Sequence, residues 1–251
     1  MASLPLKEEG FVLNKREFFD ALALRYRWPL SRLPQYCACG KNFDMDHAMS
    51  CMKGGYVHRR HDRIRDLFAR AMDDVFKGVR IEPPLQPLTG EILPPSANKE
   101  DGARLDVVVR DLWNQNELAF FDMKVFNPMA KSNLKKDLNA AFQMHESIKK
   151  NLYNERVIRV EHGSFTPVVL SSYGGFGRES NRFVNKVVEK IAEKKNIERS
   201  IVASTIRRKV SFELVRSQVA CIRGSRSLKT MFLDMNDAEI VENISDIRGN
   251  N

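Results

Sequence analysis

The sequence predicts an α/β fold, in which a helix leads into a three-stranded meander, a second helix and a fourth strand, and three observations predict it. Apolar residues recur at three-to-four spacing over 58–76 and again over 131–153, the signature of helices that bury one face. Between them, 103–112 and 117–126 carry alternating and β-branched apolar residues, the signature of strands. These two segments flank Trp113-Asn114-Gln115-Asn116, whose polar residues suit a turn and make the pair a hairpin. A meander covered by helices and completed by a fourth strand is an α/β sandwich.

Each element follows from local chemistry. Residues 14–28 read as an amphipathic helix, closed by Pro29 and Pro34. Gly54-Gly55 marks a hinge before the 58–76 helix, which carries Ile64, Leu67, Phe68, Ala71, Met72 and Val75 and stops at Gly78. The strand at 79–85 is confined to a sheet edge by Pro83 and Pro84, which cannot donate to a ladder. Residues 86–102, rich in proline and glycine, read as a mobile polar loop. A strand at 165–171 follows the 131–153 helix, and helices at 181–195 and 200–221 complete the fold with several basic residues. After Leu233 the chain turns acidic and polar, which predicts a fraying tail. The expected organisation is an N-terminal helix and Cys/His segment over 1–55, a main domain over 56–233 and the tail over 234–251.

The chain holds 41 Lys+Arg against 32 Asp+Glu among 251 residues, a formal charge of +9 and a pI near 9.4. Such a surface attracts polyanions, and nucleic acid is the first partner it suggests. No stretch reaches the roughly 18 consecutive apolar residues of a membrane span. The charged N-terminus has no signal-peptide core behind it, which predicts an intracellular protein, nuclear if the host is eukaryotic.

Of four cysteines, Cys37, Cys39 and Cys51 crowd together with His47 while Cys221 stands apart. Three thiolates and an imidazole are the donors of a closed zinc site, and Gly40 allows the tight turn such a knuckle needs. Zn²⁺ is therefore the expected ion there.

In the hairpin, Asp106 sits among Leu105, Val107, Val108 and Val109, and Asp122 among Phe120, Phe121 and Met123. Charges in such apolar strands are costly unless paired or bound to metal. Asp122 and Lys124, two residues apart, share a strand face. Two carboxylates with a lysine suit Mg²⁺ (or Mn²⁺), the lysine orienting or deprotonating an attacking water in phosphodiester hydrolysis. Catalytic roles thus fall on Asp106, Asp122 and Lys124. Glu82 or Asp62 is a further acidic candidate, and His145 and His162 read as structural. Sharing a metal requires Asp106 opposite Asp122, whereas a strictly paired four-residue turn would oppose Asp106 with Met123. An odd-length turn or a bulge near Trp113 is therefore expected.

Taken together, Cys37, Cys39, His47 and Cys51, then Arg60-His61-Asp62, Arg104-Leu105-Asp106, Phe121-Asp122-Met123-Lys124, and Lys149 and Lys150 with Tyr153, resemble the PD-(D/E)xK nuclease superfamily. More narrowly they resemble the restriction-like endonuclease of non-LTR retrotransposons, which places a Cys/His knuckle upstream. Leu105 stands where the family usually has proline, and the reverse transcriptase that accompanies that endonuclease is absent from the chain. The resemblance, which spans roughly 35–175, implies a restriction-endonuclease-like core with extra helices at both ends and a small zinc knuckle. It also implies a DNA endonuclease whose DNA contacts include Arg60, His61, Arg104, Lys149, Lys150 and Tyr153. The rival expectation is a catalytically inactive, zinc-dependent nucleic-acid-binding module.

Overall fold

The computed structural model describes residues 10–224, and the expected tail at 234–251 lies outside them. Helix α1 spans Lys15–Tyr26, started by a capping box in which Asn14 and Glu17 satisfy each other's backbone amides. Short helix α2 spans Met45–Ser50 and α3 spans Tyr56–Asp73, beginning directly after Gly55 in the left-handed conformation. The sheet follows with β1 (Arg80–Ile81), β2 (Val107–Arg110) and β3 (Leu118–Phe126). Helix α4 (Leu138–Arg156) runs into a π-helical turn, Val157–Glu161, and then β4 (Ser164–Ser171). Helices α5 (Arg178–Lys195) and α6 (Arg199–Arg223) close the described chain.

The fold is a mixed α/β arrangement on one four-stranded sheet in the order β1-β2-β3-β4. β1 and β2 pair antiparallel, as do β2 and β3, whereas β4 runs parallel to β3 after the α4 crossover. Central β3 is covered on both faces. Ala119, Phe121, Met123 and Val125 pack with α3, α5 and α6. Phe120 and Phe126 lie on the α4 side, in two smaller clusters. Burying a side chain of this size contributes roughly 1.5–3 kcal/mol relative to leaving it exposed, so β3 anchors the sheet. Gly163 is needed where the chain enters β4, because a Cβ there would collide with the Leu118 carbonyl.

Three expectations change. Helix α4 begins at Leu138 rather than near 131, because 127–136 is wound into turns instead. Asn133 donates to the Asn127 carbonyl at 2.8 Å, and the Met129 amide donates to the Asn127 side chain at 3.0 Å. The helix then starts on Asp137, which accepts the Asn139 amide. The strand expected at 79–85 shrinks to Arg80–Ile81, with an isolated bridge from Pro84 to Arg104 beyond it.

The 86–102 loop is anchored rather than mobile. Arg156, fully buried, donates to the carbonyls of Gln86, Asn98 and Glu100 at 3.0–3.1 Å. Leu93 and Ala97 of the loop are themselves buried, and Arg159 holds the Ile92 carbonyl. One arginine thus satisfies backbone groups that a proline-rich segment cannot pair within itself.

Candidate functional site

The Cys/His segment folds as a turn followed by a helix. Tyr36 and Asn42 bridge across the turn, the Gly40 amide donates to the Cys37 carbonyl at 2.8 Å, and Gly40 has φ 84, which disfavours other residues. Asp44 caps α2 by accepting the His47 amide at 2.7 Å. His47 and Cys51, four residues apart, fall on one face at the end of that helix.

Cys37 Sγ and Cys51 Sγ lie 3.6 Å apart, and Cys39 Sγ lies 3.4 Å from His47 Nε2. All four donor atoms lie within 4.8 Å of one another. Around one tetrahedral zinc, two thiolates would stand about 3.8 Å apart and a thiolate and an imidazole about 3.5 Å. The cluster can therefore hold a metal such as zinc. The Lys41 amide, donating to the Cys39 thiol, shifts it toward thiolate, whereas burial pushes the Cys51 thiol up.

This knuckle is fastened to the sheet. Arg60, at 2% exposure, donates to the Met49 carbonyl of α2 at 3.2 Å and to the Val125 carbonyl of β3 at 3.4 Å. Asn127, directly after β3, donates to the Asp46 carbonyl and to Ser50. On its other side the knuckle packs on Leu24 of α1 and on Val219, Cys221 and Ile222 of α6.

The second cluster lies where β2 and β3 part. Pairing runs from Val107 opposite Phe121 to Arg110 opposite Leu118. A further bond from the Asp111 amide to the Glu117 carbonyl leaves an odd-length turn, as expected. At its other end β2 bulges. Val107 is registered with Phe121, yet the Asp106 amide also donates to the Phe121 carbonyl at 3.0 Å. Leu105 and Val108 share one cluster, which regular alternation forbids for residues three apart.

Asp106 is consequently not simply paired with Asp122 on one pleated face. Its Oδ2 accepts the Met123 amide of β3 at 2.5 Å, taking the place of a strand carbonyl, and so lies along the edge of β3. The same oxygen is 3.0 Å from His61 Nε2 of α3, and His61 Nδ1 is 3.2 Å from Asp62. Burial opposes protonation of His61, but Asp106 and Asp62 outweigh it and lift the imidazole to about 9.

Asp122 projects toward α4, where Lys149 Nζ lies 2.6 Å from its Oδ2. Burial pushes the Asp122 carboxyl up, Lys149 pulls it down and the nearby Asp106 charge pushes it up again, with a net rise. The opposing influences on Lys149 leave its ammonium strengthened, burial being outweighed by Asp122. Burial of its ammonium, and after it the neighbouring Lys149 charge, lower the Lys124 pKa against the opposing pull of Asp122.

No protein-family model matches this chain, and no curated protein matches it significantly.

The remaining expected residues scatter. Arg60 is buried, and its two terminal nitrogens donate to the Met49 and Val125 carbonyls, so its guanidinium faces the protein interior rather than the surface where a phosphate would lie. His61 joins Asp106 rather than the outer surface. Arg104 is exposed and touches the Glu82 carbonyl, while Lys150 pairs with Glu179 at 2.8 Å. Tyr153 packs on Phe165, with Lys149 Nζ 5.9 Å from its ring. Glu82 pairs with Arg65, and Asp62 with His61 and Arg65, so neither stands free beside Asp122.

His145, read from the sequence as structural, packs its ring on Phe126 with centroids 4.6 Å apart. It lies one helical turn before Lys149, near enough to Lys124 for that charge, after burial, to disfavour its protonation. Its buried Nε2 has no hydrogen-bond partner. Positions 145, 149 and 153, spaced by four, share one stripe of α4.

Proposed function

We propose that this protein is a metal-dependent DNA endonuclease of the PD-(D/E)xK type, with Asp106, Asp122 and Lys124 at its centre and a zinc knuckle bracing the end of β3. The observation that carries this reading is the convergence of two carboxylates and a lysine at a bulge where two strands part. The element order of α3, meander, α4 and parallel β4 supports the resemblance drawn from sequence, as does the basic surface.

The donors suit a hard cation. Asp106 and Asp122 offer only oxygen, and Asp122 Oδ2 is buried against the Lys149 ammonium. A divalent ion bound there would supply Lewis acidity at a phosphoryl oxygen. Lys149 and His61 balance the two carboxylates in its absence and would give way to it. Lys124, with its lowered pKa, holds or accepts a proton of the attacking water.

The second reading, an inactive nucleic-acid-binding module, is favoured by one observation: each carboxylate already has its own cationic partner, His61 or Lys149. Incubating supercoiled, linear and single-stranded DNA with the protein in Mg²⁺, Mn²⁺ or EDTA separates the two. Metal-dependent cleavage that Asp122→Ala abolishes supports the endonuclease, and salt-sensitive binding without turnover supports the module.

A further inference from the structure

Helix α1 ends in a way that builds a flat, exposed aromatic surface. Arg27 adopts the left-handed conformation as C-cap, and both the Arg27 and Trp28 amides donate to the Ala23 carbonyl. This turn folds Trp28 back onto Tyr26, with ring centroids 5.2 Å apart and planes 25° from parallel. Tyr26 is 58% exposed and Trp28 45%, so the stack belongs to no core among the described residues. Two large rings stacked together in water form a contiguous apolar patch of the kind that marks an interaction site.

The stack is held rather than loose. Arg27 forms a two-pronged contact with Asp46 of α2, at 2.8 and 3.3 Å, which ties the end of α1 to the knuckle. The Asp46 carbonyl in turn accepts from Asn127, three residues beyond Lys124 along β3. At about 3.3 Å per strand residue, Asn127 lies roughly 10 Å from Lys124. The turn that carries the aromatic pair is thus linked through α2 to the C-terminal end of β3, the strand that carries Asp122 and Lys124.

Its charge points to the occupant. The Arg25 guanidinium lies 6.0 Å from the Tyr26 ring, and Arg25 and Arg32 are exposed. Planar rings beside the Arg25 guanidinium match the alternating bases and phosphates of an unpaired strand, where bases stack irrespective of sequence and arginines follow the backbone. We propose that Tyr26 and Trp28 form a stacking platform for unpaired nucleobases, engaging single-stranded nucleic acid leading to or from the carboxylate site. The platform is argued from its own geometry, whereas its role beside that site rests on the endonuclease reading.

The chain has two tryptophans, and the other, Trp113, is partly buried under Arg182 at 4.7 Å, so Trp28 can be followed by fluorescence in a Trp113→Phe variant. The titrants are an oligothymidylate and an abasic oligonucleotide of equal length, which share phosphates and differ in bases. The expected result is quenching of Trp28 by oligothymidylate alone, with about tenfold tighter binding than the abasic strand. Trp28→Ala and Tyr26→Ala, in the chain that retains Trp113, should each erase most of that preference, a readout that survives if Trp113→Phe fails to fold. Equal affinity for both strands, or a preference untouched by Trp28→Ala, would overturn the platform. So would a Trp28 signal that follows protein concentration without DNA, since the exposed rings would then serve a second copy. Metal-dependent cleavage with no base preference sinks the platform and leaves the endonuclease standing. Base preference without cleavage supports the platform and removes the endonuclease.

Discussion

The knuckle and the carboxylate cluster both gather charged or ionisable groups, but they are assembled differently. The knuckle draws its four donors from the short segment Cys37 to Cys51, all of them groups that a cation would bind. The carboxylate cluster draws Asp106, Asp122, His61 and Lys149 from β2, β3, α3 and α4 and is balanced from within. A metal at the first would complete a fold; a metal at the second would compete with the protein's own cations.

The largest expected effect tests the first half of that comparison. Structural zinc sites carry an apparent binding free energy of roughly 10–16 kcal/mol in small domains. Elemental analysis should find zinc in the purified protein, and Cys51→Ala should lose it together with the cooperative unfolding transition of the knuckle. A zinc-free protein with unchanged melting would leave the cluster as merely buried thiols.

Next come the carboxylates. Asp122→Ala and Lys124→Ala should each reduce metal-dependent nicking of supercoiled plasmid by roughly 10²–10⁴-fold, with DNA affinity nearly unchanged because the basic surface supplies it. Wild-type nicking rates in either variant would remove that residue from the chemistry.

Arg60 joins the two regions, and Arg60→Met would leave the Met49 and Val125 carbonyls without their donor. A loss of about 3 kcal/mol in denaturant unfolding is expected, with the salt dependence of DNA binding unaltered. A reduced salt slope at unchanged stability would restore Arg60 to the phosphate-contacting residues.

Self-neutralisation also predicts a pH dependence in protein without added divalent cation. His61 titrates near 6.5 when unfolded and about 9 when folded, so the folded state binds the extra proton. Its contribution, on the order of 3 kcal/mol, is complete below 6.5 and lost as pH rises through 9. The stability gap between wild type and His61→Asn should therefore shrink between pH 6 and pH 10, and a constant gap would count against the Asp106 pairing. The smallest effect belongs to Lys150 and Glu179, a partly exposed pair. Lys150→Ala should change stability by less than about 1 kcal/mol in thermal melts.

The sequence by itself determined the local order of elements and the membership of the knuckle. Helical and strand periodicities depend on neighbouring residues, and the four metal donors lie within one short turn and helix. The odd-length turn near Trp113 was also legible, because face alternation converts a register into a parity. Only the tertiary structure decided the partners of Asp106 and Asp122, since His61 and Lys149 come from helices far along the chain and nothing in local spacing selects them. It turned Arg60 inward, because a basic run looks the same whether its arginines meet phosphate or backbone carbonyls. It also pinned the proline-rich 86–102 loop through Arg156. Unpaired carbonyls in an irregular segment must find donors wherever packing brings them, and that choice is made by the whole fold rather than by the segment.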